Sequence, residues 1–207
     1  MRGGELDREE VRKAGFEEVG YMKSRGLWKV VPRTQADGRK ITSVKWVDTD
    51  TGSPGSPLIR SRLVARDFKE ADKDREDLFA ATPPWEMKKI LMARAAYRGD
   101  GKMRKMLLID VKKAHLNPRC TDEVYIALPE EAGAGHDQVG KLEFWLYGFR
   151  PAAAAWENAY AEKLQGVGFA RGVASPVVFY HQGRDVSLAV HGDDFTFVGE
   201  DDALDWI

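Results

Sequence analysis

Two adjacent aspartates between two apolar runs constrain the fold of this sequence more than any other feature. Residues 187–191 and 195–199 have the pattern of two short strands, and the turn between them carries Gly192, Asp193 and Asp194. Carboxylates at one hairpin tip repel each other, so their placement there favours a positive partner. Hard divalent cations prefer oxygen ligands of this kind. The hairpin therefore predicts part of a metal site.

A third carboxylate interrupts the apolar run of residues 106–111 at Asp110. The run is typical of a buried strand, where a lone carboxylate is costly unless a partner or a metal compensates it. We therefore expect Asp110, Asp193 and Asp194 to form one cluster on two neighbouring strands. The alternatives are that Gly-Asp-Asp is an ordinary turn and that Asp110 pairs with Lys112 or Lys113.

Charge is nearly balanced over the chain, with 32 lysines and arginines against 33 aspartates and glutamates. It is nevertheless segregated, because residues 88–113 contain nine basic residues and only two acidic ones. Such a stretch is typical of a solvated helix face, but it leads directly to Asp110. We expect it to form a surface for a polyanion such as nucleic acid.

Cys120 is the single cysteine, which excludes an internal disulfide and a zinc site built from several thiolates and favours a reducing compartment. No stretch of the sequence has the length and apolar character of a bilayer span, and the charged N-terminus lacks the apolar core of a signal peptide. We expect no association with a membrane.

Periodicity and turn residues predict a mixed order of helices and strands. Helices are predicted over residues 6–25, 85–98, 152–165 and 200–207, and strands over residues 27–31, 40–48, 58–68, 106–111, 123–128, 177–181 and 185–199, the last with its central turn. In the strand at 58–68, Arg60 and Arg62 fall on one face. This face is either a solvated edge of the sheet or a surface that binds phosphates. Without regular strand–helix alternation, the order favours an α+β fold in which an antiparallel sheet packs on helices.

Several segments, in this order and spacing, resemble the reverse transcriptase of copia-type long-terminal-repeat retrotransposons. The resemblance lies in residues 41–47, 60–66, 77–83, 108–117, 123–129, 146–150 and 175–176, in Trp156, and in the Gly-Asp-Asp hairpin. Each segment is a weak signal by itself, whereas their combination is specific.

The resemblance implies a right-hand polymerase with an N-terminal helix in residues 1–26, fingers in 27–84 and a palm in 85–207, some fingers elements falling around 120–160. Because the sequence ends just after the palm hairpin, we expect the thumb to be absent and long templates not to be copied by this fragment alone.

The activity implied is RNA-directed DNA polymerisation by two-metal nucleotidyl transfer, with two Mg²⁺ or Mn²⁺ ions. In that mechanism Asp110, Asp193 and Asp194 are catalytic, and they bind the metal together with Val111. The partners implied are an RNA or DNA template with its primer, deoxynucleoside triphosphates, and further polyprotein domains, namely a thumb, a ribonuclease H and an integrase. The location implied is the cytoplasm, in a virus-like particle, or the nucleus.

The resemblance also implies two sets of ligand-binding residues. Nucleotide-binding positions are Arg60, Arg62, Lys112, Lys113, Ala114, His115, Arg150 and Pro151. Nucleic-acid-binding positions are Arg66, Lys69, Lys88, Lys89, His191 and Gly192. At three of these places the sequence departs from the family pattern: His191-Gly192 replaces Tyr-Val, His115 replaces an aromatic residue that screens the sugar 2′-hydroxyl, and Pro151 replaces a glutamine that contacts the nucleotide.

Two other functions are compatible with the same residues. One is a non-catalytic, nucleic-acid-binding remnant of a retroelement that keeps the basic surface. The other is a metal-dependent phosphoesterase that uses His181 and His191 with the aspartate pair, which requires both imidazoles to reach the metal.

Overall fold

The structure is a computed structural model that describes residues 6–53, 55–67 and 80–207. The chain divides into two compact units, the first formed by Met1–Arg75 with His115–Ala152 and the second by Glu76–Ala114 with Ala153–Ile207. Both contain helices and mainly antiparallel sheets. The predicted α+β class is therefore confirmed, while the assignment of fingers and palm remains a prediction.

The elements within the described residues are as follows. The helices are α1 Arg8–Ser24, α2 Trp85–Ala96, α3 Pro151–Gly166 and α4 Asp201–Asp205. The strands are β1 Trp28–Pro32, β2 Ile41–Thr42, β3 Val44–Asp50, β4 Ile59–Ala65, β5 Lys105–Asp110, β6 Tyr125–Ile126, β7 Gln138–Leu142, β8 Ala170–Arg171, β9 Val178–His181, β10 Val186–His191 and β11 Asp194–Gly199.

Helix α1 of the first unit follows the sequence closely. The Asp7 side chain accepts hydrogen bonds from two backbone N–H groups of the first turn, and Gly26, with φ of 64°, follows the helix end. Val19 and Met22 are buried as the helical spacing predicts. The same spacing predicts that Phe16, three residues before Val19, is also buried, but Phe16 is 48% exposed, with the Arg12 guanidinium over its ring.

Two sheets complete the first unit. One has the order β1-β7-β6-β2, in which only the β2–β6 pair is parallel, and the other is the antiparallel pair β3–β4. The strand predicted at 40–48 is split between β2 and β3, and the one predicted at 123–128 is reduced to β6. Short pairings of this kind depend on the neighbouring strand rather than on local propensity.

The second unit contains one antiparallel sheet of five strands in the order β5-β11-β10-β9-β8. Alternate residues point to opposite faces. On one face, α3 packs through Trp156 and Tyr160 against residues such as Phe195 and Leu188. On the other face, α2 packs through Leu91 against residues of the central strands. The sheet therefore lies between two helices.

Two expectations for the second unit were wrong. The helical spacing of apolar residues in α2 predicts that Ile90 and Leu91 both face inward, but Ile90 is 54% exposed, whereas Leu91 is 2% exposed. The strand that carries Asp110 was predicted to be buried, but β5 lies at the edge of the sheet that the described residues form, and Leu108 on it is 72% exposed. In the described part of the chain, no helix has the length and apolar character needed to cross a membrane.

Candidate metal centre

Three carboxylates from distant parts of the sequence meet at one end of the five-stranded sheet. Oxygen atoms of Asp110, Asp193 and Asp194 all lie within 4.8 Å of one another. The antiparallel register explains the meeting, because the last residue of β5, Asp110, is paired across the strands with the first residue of β11, Asp194. Paired residues in adjacent strands point to the same face, so these two side chains share the face that α2 covers.

All three aspartates are exposed, which corrects the expectation that Asp110 is buried. Its carboxylate needs no compensation for burial. Within the described residues none of the three carboxylates accepts a hydrogen bond or forms an ion pair, so the alternative pairing of Asp110 with Lys112 or Lys113 is not found. Three unpaired oxygen donors at this spacing fit a hard divalent cation such as Mg²⁺ or Mn²⁺.

The hairpin turn places the paired aspartates. His191 and Asp194 form the last cross-strand pair, leaving Gly192 and Asp193 as the two loop residues. Gly192 has φ of 66°, as the first loop residue of a type II′ turn does, and glycine adopts that conformation without steric cost. The glycine that replaces the family's valine therefore matches the backbone conformation of the turn.

Two hydrogen bonds from other segments hold this exposed turn. The backbone N–H of Val111 donates to the carbonyl oxygen of Asp193 at 2.9 Å. The indole Nε1 of Trp156, on α3, donates to the carbonyl oxygen of Gly192 at 2.9 Å. The second contact was not predicted, because the helical spacing of Trp156 within α3 is typical of a core residue. The sequence indicates this contact only indirectly, because the N–H of a buried indole needs a hydrogen-bond acceptor.

A groove of about 640 Å³ opens beside the carboxylates, between α2 and the sheet. Its lining includes Asp110 and Asp194 at one end, and its walls include Met92, Leu108 and Lys88. Lys88 therefore lies in the groove with the carboxylates. The neighbouring Lys89 ammonium lies 5.9 Å from the ring of Trp85.

The basic stretch at residues 88–113 is not one continuous cationic surface. Arg94, Lys102 and Arg104 all bind Asp185, and Lys105 binds Asp201 at 2.6 Å. Lys105 begins β5 and Asp110 ends it, so Lys105 lies about 17 Å along the strand from the carboxylate cluster. The nine basic residues of this stretch therefore do not form one surface beside Asp110, because four of them bind acidic residues distant in sequence.

Asp185 lies at the centre of that ion-pair network. Burial would raise the pKa of its carboxyl group, but hydrogen bonds from Lys102, Arg104, Tyr180 and Arg94 outweigh burial and hold the pKa well below its ordinary value. The same contacts raise the pKa of Lys102, mainly through its hydrogen bond to Asp185. The network is a structural cluster at the opposite end of β5 from the aspartates.

Three of the predicted nucleotide-binding residues follow Asp110 in the second unit. Lys112 is exposed, Lys113 adopts a positive φ of 55°, and Ala114 is buried where a short 3₁₀ helix begins. His191 and Gly192 are exposed in the turn itself.

The remaining ligand-binding predictions lie in the first unit. Arg60 and Arg62 share one face of β4, as predicted, while Ser61 and Leu63 are buried on the other. Neither arginine has an acidic partner in the part of the chain that the structure describes.

The other predicted positions in this unit are separate from β4. Arg66 is exposed just after that strand. His115 is half-buried, and its ring lies 6.1 Å from that of Tyr147. Arg150 and Pro151 lie at the start of α3. Lys69 lies outside the described residues.

His181 does not belong to the carboxylate cluster. It is paired with Val186 at the other end of β10 from His191, about 17 Å along the strand. Its Nδ1 accepts a hydrogen bond from the backbone of Arg184, and its ring packs against Phe169 and Trp206. The phosphoesterase hypothesis required both histidines at the metal, so this geometry contradicts it.

Comparison with known proteins adds an independent observation. A family model described as reverse transcriptase (RNA-dependent DNA polymerase) matches residues 26–204. The chain is 26% identical over 200 residues to the retrovirus-related Pol polyprotein from transposon RE2 of Arabidopsis thaliana, an alignment that covers 93% of this chain and 13% of that protein. It is 27% identical over 207 residues to the retrovirus-related Pol polyprotein from transposon RE1 of the same plant, an alignment that covers 96% of this chain and 14% of that protein. The chain thus spans a small fraction of the length of these relatives.

Proposed function

The chain belongs to the reverse transcriptase (RNA-dependent DNA polymerase) family, of the copia type, and we propose that it catalyses RNA-directed DNA synthesis at the Asp110–Asp193–Asp194 cluster. The observation that carries the proposal is the convergence of the three carboxylates within 4.8 Å at the end of one sheet. The aspartates that bear the family resemblance are also the ones that the register of β5 and β11 brings together.

The chemistry requires charge neutralisation more than proton transfer by a side chain. When bound, two Mg²⁺ or Mn²⁺ ions would activate the attacking hydroxyl and stabilise the leaving oxygen. Asp110, Asp193 and Asp194 would hold them through carboxylate oxygens, with Val111 beside them. In the transfer, the primer 3′ oxygen forms a bond to the α-phosphorus of the incoming nucleotide, and the bond from that phosphorus to pyrophosphate breaks.

Other residues would bind the substrates. We assign the triphosphate to Lys112, Lys113, Ala114 and Arg150, together with the guanidinium forks of Arg60 and Arg62, and the nucleoside to His115 and Pro151. We assign the backbone of template and primer to Arg66, Lys69, Lys88, Lys89, His191 and Gly192. Phosphate contacts of this kind position a nucleic acid without reading its sequence.

The partners follow from the same proposal. They are an RNA or DNA template with a primer, deoxynucleoside triphosphates, and the thumb, ribonuclease H and integrase of a longer polyprotein. Two relatives are named as Pol polyproteins, which supports the last set. The proposed location is the cytoplasm, within a virus-like particle, or the nucleus.

Primer extension on an RNA template tests the proposal. The parent chain should incorporate at least the first nucleotides only when Mg²⁺ or Mn²⁺ is added, and Asp193→Asn and Asp194→Asn should lose that incorporation. Asp37→Asn, which changes an exposed aspartate of the first unit, is the matched control and should retain it. Template binding by the parent without any incorporation would contradict the enzyme and support a non-catalytic nucleic-acid-binding protein.

A further inference from the structure

The aspartate-bearing turn is exposed, yet one of its carbonyl oxygens is bound by a buried side chain. Trp156 is 8% exposed, and its Nε1 donates to the carbonyl oxygen of Gly192 at 2.9 Å. All four residues of the turn, from His191 to Asp194, are exposed. Helix α3 therefore reaches the turn from the side of the core.

The packing around Trp156 fixes the direction of that bond. The indole ring lies edge-on to Tyr160 at 5.5 Å and to Phe195 at 6.2 Å, and Tyr160 in turn contacts Phe195 at 5.4 Å. Phe195 directly follows Asp194 in β11. An indole held between two aromatic rings has little rotational freedom, so its N–H remains directed at Gly192.

The two loop residues of the turn are held independently. The Gly192 carbonyl accepts from Trp156, and the Asp193 carbonyl accepts from the backbone N–H of Val111 at 2.9 Å. The first bond comes from α3 and the second from the residue after Asp110. A two-residue turn with both carbonyls bound has a restricted backbone, so the Asp193 carboxylate is held towards Asp110 and Asp194.

We propose that Trp156 is a positioning residue for the metal centre, acting through the Gly192 carbonyl to hold the paired aspartates in ligand geometry. The proposal rests on the proposed function in one respect, which is that the ligand is a divalent cation. It goes further in assigning a role to a core side chain that touches neither metal nor substrate. A catalytic arrangement needs its ligands held to within a fraction of an ångström, which an exposed two-residue turn cannot do alone.

Two replacements at Trp156 separate the hydrogen bond from the packing. Trp156→Phe keeps an aromatic ring and removes the N–H, and incorporation of 3-benzothienylalanine replaces the N–H by sulfur at nearly constant shape. Tyr160→Phe is the matched control, because it removes a polar atom from the same aromatic cluster without touching the turn.

The readout is Mn²⁺ affinity, measured as free Mn²⁺ by electron paramagnetic resonance, with thermal unfolding followed in parallel. Both Trp156 replacements should weaken Mn²⁺ binding about three- to tenfold, which is the change in affinity expected from the loss of one hydrogen bond. Where the parent extends primers, kcat should fall by a similar factor while KM for the nucleotide changes less than about twofold. Tyr160→Phe should bind Mn²⁺ within about twofold of the parent.

The outcomes distinguish this proposal from the proposed function. If both Trp156 replacements bind Mn²⁺ as Tyr160→Phe does, whatever their thermal stability, the positioning role is overturned and Trp156 is only a core residue. If the parent binds Mn²⁺ but never extends a primer, the polymerase function fails, and the Mn²⁺ comparison still decides the role of Trp156. A parent that binds no Mn²⁺ would overturn both.

Discussion

Asp110 and Asp194 face each other directly across the β5–β11 pair, as cross-strand partners with no basic residue bound to either carboxylate within the described chain. Like charges directly opposite each other in an antiparallel pair are destabilising. The cluster therefore stores repulsion that a bound cation would relieve.

This repulsion predicts opposite effects of Asp110→Asn on stability and on metal binding. In metal-free buffer we expect the variant to be more stable than the parent by about 0.5 kcal/mol, because one of the opposed charges is removed. Added Mn²⁺ should raise the unfolding temperature of the parent by mass action and leave that of the variant unchanged. Differential scanning calorimetry with and without Mn²⁺ measures both effects. Equal stabilisation of parent and variant by Mn²⁺ would mean that the ion binds elsewhere.

The ion-pair network around Asp185 predicts a pH-dependent contribution to stability. Asp185→Asn should lower the free energy of unfolding by about 2 kcal/mol at neutral pH, because the carboxylate accepts from three basic side chains and Tyr180. The folded pKa of Asp185 is lowered, so this contribution is fully present above the unfolded value of about 3.9 and is lost as the pH falls below it.

Urea unfolding at several pH values tests this prediction. The difference between parent and Asp185→Asn should stay constant from about pH 5 to 7 and shrink below about pH 4. Asp202→Asn, which changes an exposed aspartate without a bonded basic partner in the described chain, is the control and should change the free energy of unfolding at neutral pH by less than about 0.5 kcal/mol. A difference between parent and Asp185→Asn that grew with acidification would contradict the direction of the shift.

Cys120 should react slowly in the folded protein. Burial raises the pKa of its thiol to about 11, and the sulfur contacts the carbonyl oxygen of Asp122 at 3.4 Å. At pH 8 the thiolate fraction, and with it the rate of alkylation by iodoacetamide, should be roughly a hundredfold lower than in the unfolded chain. Mass spectrometry of the alkylated protein with and without urea measures the ratio. Similar rates in both conditions would show that the thiol is exposed.

The sequence was sufficient to predict the Gly-Asp-Asp hairpin and its meeting with Asp110 on a neighbouring strand. The alternation of apolar and polar residues over 187–199 and the turn at Gly192 determine a hairpin. Asp110 reaches this hairpin when its own strand pairs next to it in the same sheet. The exposure of Asp110 could not be predicted in this way. The apolar run of β5 is typical of a strand covered on both faces, and only the strand order reveals that it lies at an edge.

The ion pairs and the role of Trp156 were also beyond prediction from sequence. Asp185 is separated by 83 residues from Lys102 and by 81 from Arg104, so no local charge count shows that these residues neutralise one another. Trp156 and Gly192 are 36 residues apart. The helical spacing of Trp156 correctly predicts burial, but the acceptor of a buried N–H depends on which loop the tertiary fold brings to it.

Lysines 88 and 89 should affect nucleic-acid binding more than Lys105 does. Lys88 lines the groove beside the carboxylates, whereas Lys105 is bound to Asp201 at 2.6 Å at the opposite end of β5. If Lys88 contacts a phosphate, Lys88→Ala should lower the slope of log affinity against log salt by about one, and Lys89→Ala should act in the same direction. Fluorescence anisotropy with a labelled primer–template over a salt series measures the slopes. An equal loss for Lys105→Ala would indicate a general charge effect instead.

Gly192→Ala should be costly although there is space for the added methyl group. Apart from the two neighbouring residues in the chain, no heavy atom lies within 4 Å of a Cβ built at this position, so the cost comes from the backbone alone, whose φ is 66°. An L-residue with a Cβ in that region loses about 1–2 kcal/mol relative to glycine. Gly20→Ala is the matched control, because its Cβ also meets nothing within 4 Å but Gly20 lies inside α1, where alanine should stabilise the helix by about 1 kcal/mol.

The two glycine variants therefore separate backbone conformation from space. Chemical unfolding should show opposite signs, with Gly192→Ala less stable and Gly20→Ala more stable than the parent. Because the strain in Gly192→Ala acts on the residue before Asp193, Mn²⁺ affinity should fall in that variant and remain unchanged in Gly20→Ala. A Gly192→Ala variant with parental stability and Mn²⁺ affinity would mean that the turn tolerates an alternative conformation, so that the glycine would not be required for ligand geometry.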